Sequence, residues 1–408
     1  MEVVFPRCAG LDVHKKTVVA CILAREGRET GRAVQTFGTA TADLLSLQTW
    51  LTEHRVTHVA MESTASYGKP VFNLLESSFT TWLVNPAHIK AVPGRKTAVK
   101  DAEWIADLLQ HGLLKPSFIP DRPQRELRER TRYRQSLIEE RAREVNRIQK
   151  VLEGANIKLG SVVSNVLGVS GTRILQALAD GITDPESLAA LADDRLRATP
   201  AELQRALQGL MGAHQQFLLR QQLRHLTQWD RQLAELDAEV ASRLAPFEAT
   251  RALLESLPGV GRRTAETILA EIGPTVAPFR SPAALAKWVG LAPGHHESAG
   301  KRLSGRTIPG NRSLRAALVE AAQAAGRTQA TYLGAQYRRA VRTQGAKRAA
   351  VIVAHSIVGD IWYILQRHQP YADLGVDYFD RRDQEHVRRQ AVKRLEGLGY
   401  RVTLTAAS

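Results

Sequence analysis

The stretch CAGLDVHKKTVVACIL, Cys8 to Leu23, decides the fold of the first third of the chain. Two runs rich in Val, Ile, Leu and Ala flank a short polar segment, His14 to Lys16. Strand-forming text on both sides of a tight polar break predicts a β-hairpin. Asp12 interrupts the first run. A carboxylate inside an apolar strand is costly unless it has a partner or a task.

Working outward, residues 1 to about 120 read as α/β. RAVQTFG (32–38) predicts a third strand. TADLLSLQTWLTEH (41–54) sets Leu44, Leu47 and Leu51 on one helical face. THVAMES (57–63) predicts a short strand with Glu62 near its end, FNLLES (72–77) a helix, and TTWLVNP (80–86) a strand stopped by Pro86. GRKTAVKDAEWIADLL (94–109) closes the region with a helix that opens near Asp101, Thr97 serving as its N-cap.

From Pro123 the text changes. Residues 124–153 contain neither Gly nor Pro. Leu127, Arg134, Leu137, Arg141, Val145, Ile148 and Leu152 recur there at helical spacing, which predicts a helix of ~45 Å. Its outer faces are strongly basic. Two shorter helices are expected next, one started by Asp184 as cap and Pro185 as first helical residue. A second long helical stretch runs from Ala201, with Gly209 and Gly212 as candidate breaks. Leu203, Leu207, Leu210, Leu226, Trp229, Leu233, Leu236 and Val240 fall mostly in threes and fours, close to a coiled-coil seam. The pair predicts an antiparallel coiled coil ending at Pro246. The expected organisation is therefore 1–120 α/β, 121–246 coiled coil, 247–365 helical and basic, and 366–408 a charged tail.

The chain has 408 residues, enough for two or three domains. Fifty-six Lys and Arg against 41 Asp and Glu give a net charge of +15. That balance favours an anionic partner, nucleic acid first. No run of 18 apolar residues offers a membrane span, and the N-terminus lacks a signal-peptide layout. A cytoplasmic, nucleoid-associated protein with no membrane partner is expected. Two cysteines, Cys8 and Cys21, argue against a disulfide framework or a cysteine zinc site.

Asp12, Glu62 and Asp101 each fall at or near the end of a predicted element. Carboxylates from neighbouring strands can hold Mg²⁺, which takes oxygen ligands and keeps waters or phosphate oxygens as the rest. Taken singly, each carboxylate is ordinarily a solvated surface group. In the third region, LLESLPGVGRRTAETILAEIG (253–273) has the helix-hairpin-helix pattern. Its Pro258–Gly261 turn exposes backbone N–H groups where a phosphate can sit, and Arg262 and Arg263 would strengthen that contact. The same turn would serve equally as a plain connection between packed helices. Residues 288–322 then form a long polar, Gly-rich and basic loop, of the kind that is usually functional. Ser298, Ser304 and Ser313 are candidate nucleophiles there, but none sits in a GxSxG elbow. His295 or His296 is a candidate base, although a solvated histidine pair is the commoner case. Arg302, Arg306, Arg312 and Arg315 make a dense phosphate-facing set if this loop meets DNA; otherwise it is a solvated charged loop.

Six ordered blocks carry a resemblance: GLDVHKKTV, MESTASYG, VNPAHIKAVPGRKT followed by DAEWIADLLQHGLL, LPGVGRRTA, GLAPGHHESAGKRLSG and GNRSLRAAL. Together they resemble the DEDD transposases of the IS110 insertion-sequence family, which are related to the Piv DNA invertase. The resemblance implies a RuvC-like, RNase H-type N-terminal domain, a coiled coil and a mostly helical C-terminal transposase domain. It implies four acidic Mg²⁺ ligands, of which Asp12 matches the first, Glu62 the second and Asp101 the fourth. The third belongs to a KTDxxDA pattern, and this chain has KTAVKDA, so Ala98 stands at the ligand position. Ser298, in HHES, matches the family's serine.

The resemblance further implies RNA-guided recombination. A structured non-coding RNA, called a bridge or seeker RNA, pairs with donor and target double-stranded DNA, and the basic helix from Arg125 to Arg147 suits its backbone. The protein acts as a dimer or tetramer, and the serine attacks a phosphate near the metal-binding carboxylates. With alanine at position 98, impaired cleavage is expected. The alternatives are a Holliday-junction-type nuclease without covalent intermediate, and a non-enzymatic architectural protein that binds nucleic acid.

Overall fold

The computed structural model divides the chain into two compact units, Met1–Ile119 and Pro120–Ser408. It describes residues 2–27, 29–62, 67–86, 98–294, 296–298 and 301–404, with backbone alone at 98–100, 296–298, 301–304, 386 and 387. Thr97 and His295 lie outside the described residues.

The first unit is built on the hairpin that opens the chain. β1 (Arg7–Val13) pairs antiparallel with β2 (Thr17–Glu26), and β2 with β3 (Glu29–Gly38). β4 (His58–Glu62) lies parallel to β1, and β5 (Thr80–Val84) parallel to β4. The mixed sheet therefore runs in the order β3-β2-β1-β4-β5. Strand alternation divides its residues between two faces. Ala9, Leu11, Val13, Val59 and Met61 pack against α1 (Thr41–Glu53) and α2 (Gly68–Leu75). Cys8, Cys21 and Ala60 pack on the other face against α3 (Ala98–Gln110), through Ala102, Ile105, Ala106 and Leu109. Both thiols are fully buried, and burial pushes them up to about 12 at Cys8 and about 11 at Cys21.

The second unit begins with α4 (Arg122–Gly154), capped by the Asp121 carboxylate, which accepts from Gln124 N. Three helices follow where two were expected, α5 (Leu159–Val162), α6 (Val169–Asp180) and α7 (Pro185–Ala189), and α8 (Pro200–Leu207) opens the helical stretch expected from Ala201. The predicted start of α7 holds, with the Asp184 side chain accepting from Ser187 N and Pro185 at the first helical position. The chain breaks across 208–212 before α9 (Ala213–Leu244). α9 pairs antiparallel with α4, because their ion pairs run in opposite order: Arg130 with Glu239 at 3.3 Å, Arg134 with Asp237 at 2.9 Å, Arg141 with Asp230 at 2.6 Å. Leu219, Leu226, Leu233 and Val240, seven residues apart, are the buried stripe of α9.

The rest of this unit is a helical bundle. α10 (Glu248–Glu255), α12 (Pro282–Val289), α13 (Arg312–Arg327) and α14 (Tyr332–Gln344) pack on α15 (Ala346–Arg367), and α11 (Arg262–Ile272) packs on α4, α10 and α13. Two short strands, β6 (His296–Ser298) and β7 (Lys301–Ser304), pair antiparallel where the sequence read as a plain loop. α16 (Tyr378–Arg382) and α17 (Gln384–Gly397) end the described chain. α15 corrects the expectation that nothing in the chain has bilayer length, since its length and composition suffice to cross a membrane. Its Val353, Ile357, Val358 and Ile361 are instead buried in the bundle.

Arg128, Arg132 and Arg134 of α4 tie that helix to the bundle, while Arg143 and Arg147 remain more than half exposed. Arg134, 2% exposed, donates to Glu266 Oε2 at 2.6 Å and to Asp237 Oδ1 at 2.9 Å. Glu271, fully buried, receives Arg132 Nε at 2.7 Å and Nη2 at 2.8 Å, and Asn311 Nδ2 at 2.7 Å. Asn311 also caps α13. Removing one partner of a buried pair costs about 3–5 kcal/mol, because the other charge is left uncompensated. Glu266 keeps Arg262, so Arg134→Met is expected to lose about 3 kcal/mol in urea denaturation of the full chain. Arg141→Met, at an exposed pair, is expected to lose less than about 1 kcal/mol. Equal losses would show that the buried network does not hold the bundle.

Asp360 on α15 gives a pH signature. Burial, then the charge of Asp373, pushes its carboxyl up to about 7 from 3.8. Tyr332 and Tyr371 share this environment, and burial raises both phenols. A folded-state pKa above the unfolded one means the native state holds the proton more tightly. The stability it contributes is present below the unfolded pKa and is lost as pH rises through the folded one. Stability should therefore fall between about pH 4 and about pH 7. Asp360→Asn is expected to flatten that slope and to gain on the order of 2 kcal/mol at about pH 8, after discounting for partial exposure. Denaturation midpoints at about pH 5 and about pH 8 check the result.

Candidate active site

Asp12 lies next to the end of β1 and is 7% exposed. Alternation sets it on the same face as Cys8 and Gly10, the face that α3 covers. β4 runs alongside in parallel register, Gly10 opposite Ala60 and Leu11 opposite Met61. The next residue along each strand is Asp12 and Glu62, so the two carboxylates stand at the same end of adjacent strands, on the same face.

The third carboxylate arrives from the helix. The Cys8 thiol donates to Ala106 O at 3.6 Å, and Gly10 lies under Ala102 and Ala106. α3 therefore runs antiparallel to β1, and its first turn comes to the end of the strand that holds Asp12. A Cβ on Gly10 would fall 2.2 Å from Ala102 O and 2.4 Å from Ala106 N, both backbone atoms. Glycine is required for this approach, and Asp101 is the residue before Ala102.

The electrostatics match the placement. Burial raises the Asp12 carboxyl above the ordinary carboxylate range, His14 pulls it back, and the Asp101 charge adds to the rise. His14 Nε2 is 3.0 Å from Asp12 Oδ2. His14 opens the polar turn of the β1–β2 hairpin, where local sequence marks it only as a turn residue. Its position two residues after Asp12, across a tight hairpin, was the available signal.

Three carboxylates without sulfur are donors of the kind Mg²⁺ takes. Among the described residues, however, no three His, Cys, Asp or Glu side chains are gathered closely enough to hold a metal ion. Ala98 is the first residue of α3, and its side chain lies outside the description. Alanine carries no donor atom in any conformation.

In the second unit, Ser298 ends β6, opposite Lys301 of β7, and Arg302 pairs with Glu297 in the same ladder. The side chains of Ser298 and Arg302 lie outside the description. The Pro258–Gly261 turn joins α10 to α11 as expected. A Cβ on Gly259 would fall 2.2 Å from Ala321 O, so this glycine serves packing against α13. Gly261 caps α11 with open space above it and no side-chain cap. Arg262 and Arg263, expected to face phosphate, form ion pairs within the unit, with Glu266 at 2.9 Å and Asp237 at 2.8 Å. Both are more than half exposed. Arg306 and Arg312 are exposed.

A family model described as Transposase matches residues 9–157, and one described as Transposase IS116/IS110/IS902 family matches residues 251–338. The chain belongs to the IS110 family of transposases. The first match contains Asp12, Glu62 and Asp101, and the second contains Ser298 and the helix-hairpin-helix turn. No curated protein matches the chain. As a member of this family the transposase is a DNA-recombining enzyme of an insertion sequence, with DNA as its substrate.

The close approach of β1 and α3 is open to test. Gly10→Ala forces a methyl group into helix backbone, an overpacking that typically costs about 1–3 kcal/mol. A loss in this range on chemical denaturation is expected. An unchanged midpoint would show that α3 does not rest on Gly10.

Proposed function

We propose that this transposase is an RNA-guided DNA recombinase that exchanges strands through a serine nucleophile and a Mg²⁺-binding carboxylate set, and that Ala98 impairs it. What supports the proposal is the register that carries Asp12 and Glu62 to the same end of adjacent strands, with Asp101 on the helix that covers that face, all inside the transposase match. The order β3-β2-β1-β4-β5 supports an RNase H-type, RuvC-like assignment for the first unit. The seven-residue stripe of α9 supports a coiled coil with α4. The further division at 246 and 365 belongs to the same proposal.

In this reading Asp12, Glu62 and Asp101 hold the metal. Mg²⁺, when bound, offsets negative charge that develops on phosphate oxygens. Ser298 Oγ attacks phosphorus, one P–O ester bond replaces another, and the departing DNA hydroxyl takes up the proton that serine gave. Attack by a hydroxyl of the second duplex reverses the exchange and frees the serine, so no bond energy is lost. Base pairing by a bridge or seeker RNA selects donor and target DNA. The protein then needs charge and shape more than base-reading side chains. A dimer or tetramer would bring two duplexes together.

Restoring the ligand is the direct experiment. Ala98→Asp is expected to raise Mg²⁺-dependent strand cleavage at least tenfold, an effect of about the size a ligand-sphere change produces; equal rates in the two forms would remove the missing-ligand account. In that background Ser298→Ala should abolish a covalent protein–DNA adduct. Cleavage that never passes through an adduct would favour the junction-type nuclease. Sequencing of RNA that co-purifies with the full chain tests the guide.

A further inference from the structure

From Ala321 to Gly359 the chain carries no Asp or Glu, but six cations: Arg327, Arg338, Arg339, Arg342, Lys347 and Arg348. Among the described residues none of the six takes part in an ion pair. The contrast with α4 is sharp. There Arg122, Arg128, Arg130, Arg132, Arg134, Arg141, Arg143 and Arg147 each lie within ion-pair distance of a carboxylate. The fold neutralises the long helix internally and leaves this segment charged.

Its geometry concentrates the charge. Gln344 ends α14 and Ala346 begins α15, with Gly345 alone between them at φ 77°. Residues 342–348 are exposed without interruption. Two of the six cations are occupied. Arg338 donates to Thr328 O and Gln329 O, each at 2.8 Å, and the Arg339 guanidinium lies 5.6 Å from the Phe379 ring centroid. Arg342, Lys347 and Arg348 flank the turn on both sides. Nothing lies within 4 Å of where a Cβ on Gly345 would be, so the turn is open to a bulky partner. Lys347 and Arg348 also sit in the first turn of α15, the positive end of the helix dipole, where cations are disfavoured unless negative charge approaches.

We propose that the α14–α15 turn is a phosphate-contacting surface for duplex DNA, with Arg342, Lys347 and Arg348 as its contacts. This rests on the reading of the chain as an enzyme that acts on DNA. A duplex presents a dense array of fixed phosphates, which suits three cations on a rigid elbow better than it suits any base-reading role. In sequence it is distinct from the helix-hairpin-helix turn and from the loop that holds Ser298.

The test is the salt dependence of binding. A random-sequence DNA duplex is titrated with the full chain by fluorescence anisotropy at several salt concentrations. Each neutralised phosphate contributes about 0.9 to the slope of log K against log salt. The triple variant Arg342→Gln, Lys347→Gln, Arg348→Gln is expected to flatten the slope by about 2 to 3. A control with the same net charge replaces Lys158, Arg195 and Arg231, all in exposed ion pairs, by glutamine. It should leave the slope near that of the unsubstituted chain. Equal flattening in both triples would overturn the proposal, because only the overall field would then matter. An unchanged slope in the first triple would overturn it as well. So would flattening seen with a hairpin RNA and not with the duplex. If the unsubstituted chain shows no salt-dependent binding of DNA, this proposal and the recombinase reading fall together. Flattening in a chain whose Ala98→Asp form never cleaves DNA keeps the surface and removes only the recombinase reading.

Discussion

Between β1 and α3 there is no room for a side chain. The helix backbone at Ala102 and Ala106 rests on Gly10, and that contact fixes where the first turn of α3 ends up. Everything in the candidate active site follows from it. Asp12 is two residues beyond Gly10 on the strand, and Asp101 is one residue before Ala102 on the helix. Parallel pairing of β4 then adds Glu62 at the same sheet end. Three acids separated by up to 89 positions in the sequence reach one face because a glycine lets a helix touch a sheet.

The second unit is governed by how its charge is divided. A net charge of +15 invites the idea that every basic run faces nucleic acid. The long helix α4 shows otherwise, since its arginines reach across to Glu266 and Glu271 on α11 and to Asp237 on α9. A buried guanidinium with two carboxylate partners is a structural tie, and it is no longer available to a phosphate. The charge left over for a partner is the fraction that has no internal counterion. The acid-free segment before Asp360 is one place where such charge is gathered.

Much of the fold was legible in local sequence, for reasons that can be named. The β1–β2 hairpin showed through apolar alternation around His14–Lys16, α4 through 30 residues without Gly or Pro, and α7 through Asp184 and Pro185. What escaped depended on partners distant in sequence. The ion pairs of Arg132 and Arg134 span more than 100 positions, so nothing near them announces burial. The β6–β7 hairpin escaped because its strands are three and four residues long and polar. At the site, Asp12 stood out as a charge in an apolar strand. Glu62 and Asp101 needed the sheet register and the Gly10 contact, and Ala98 was informative only against a family pattern.

Ala98 also bears on the charge balance at the start of α3. Asp12 already pays for its burial with a raised carboxyl, and the Asp101 charge adds to the rise. An aspartate at position 98, three residues before Asp101, would bring another negative charge to the same helix start. Like charges within one turn destabilise each other, and burial amplifies the repulsion. With alanine at position 98 the helix start carries less of this repulsion beside Asp12 and Asp101.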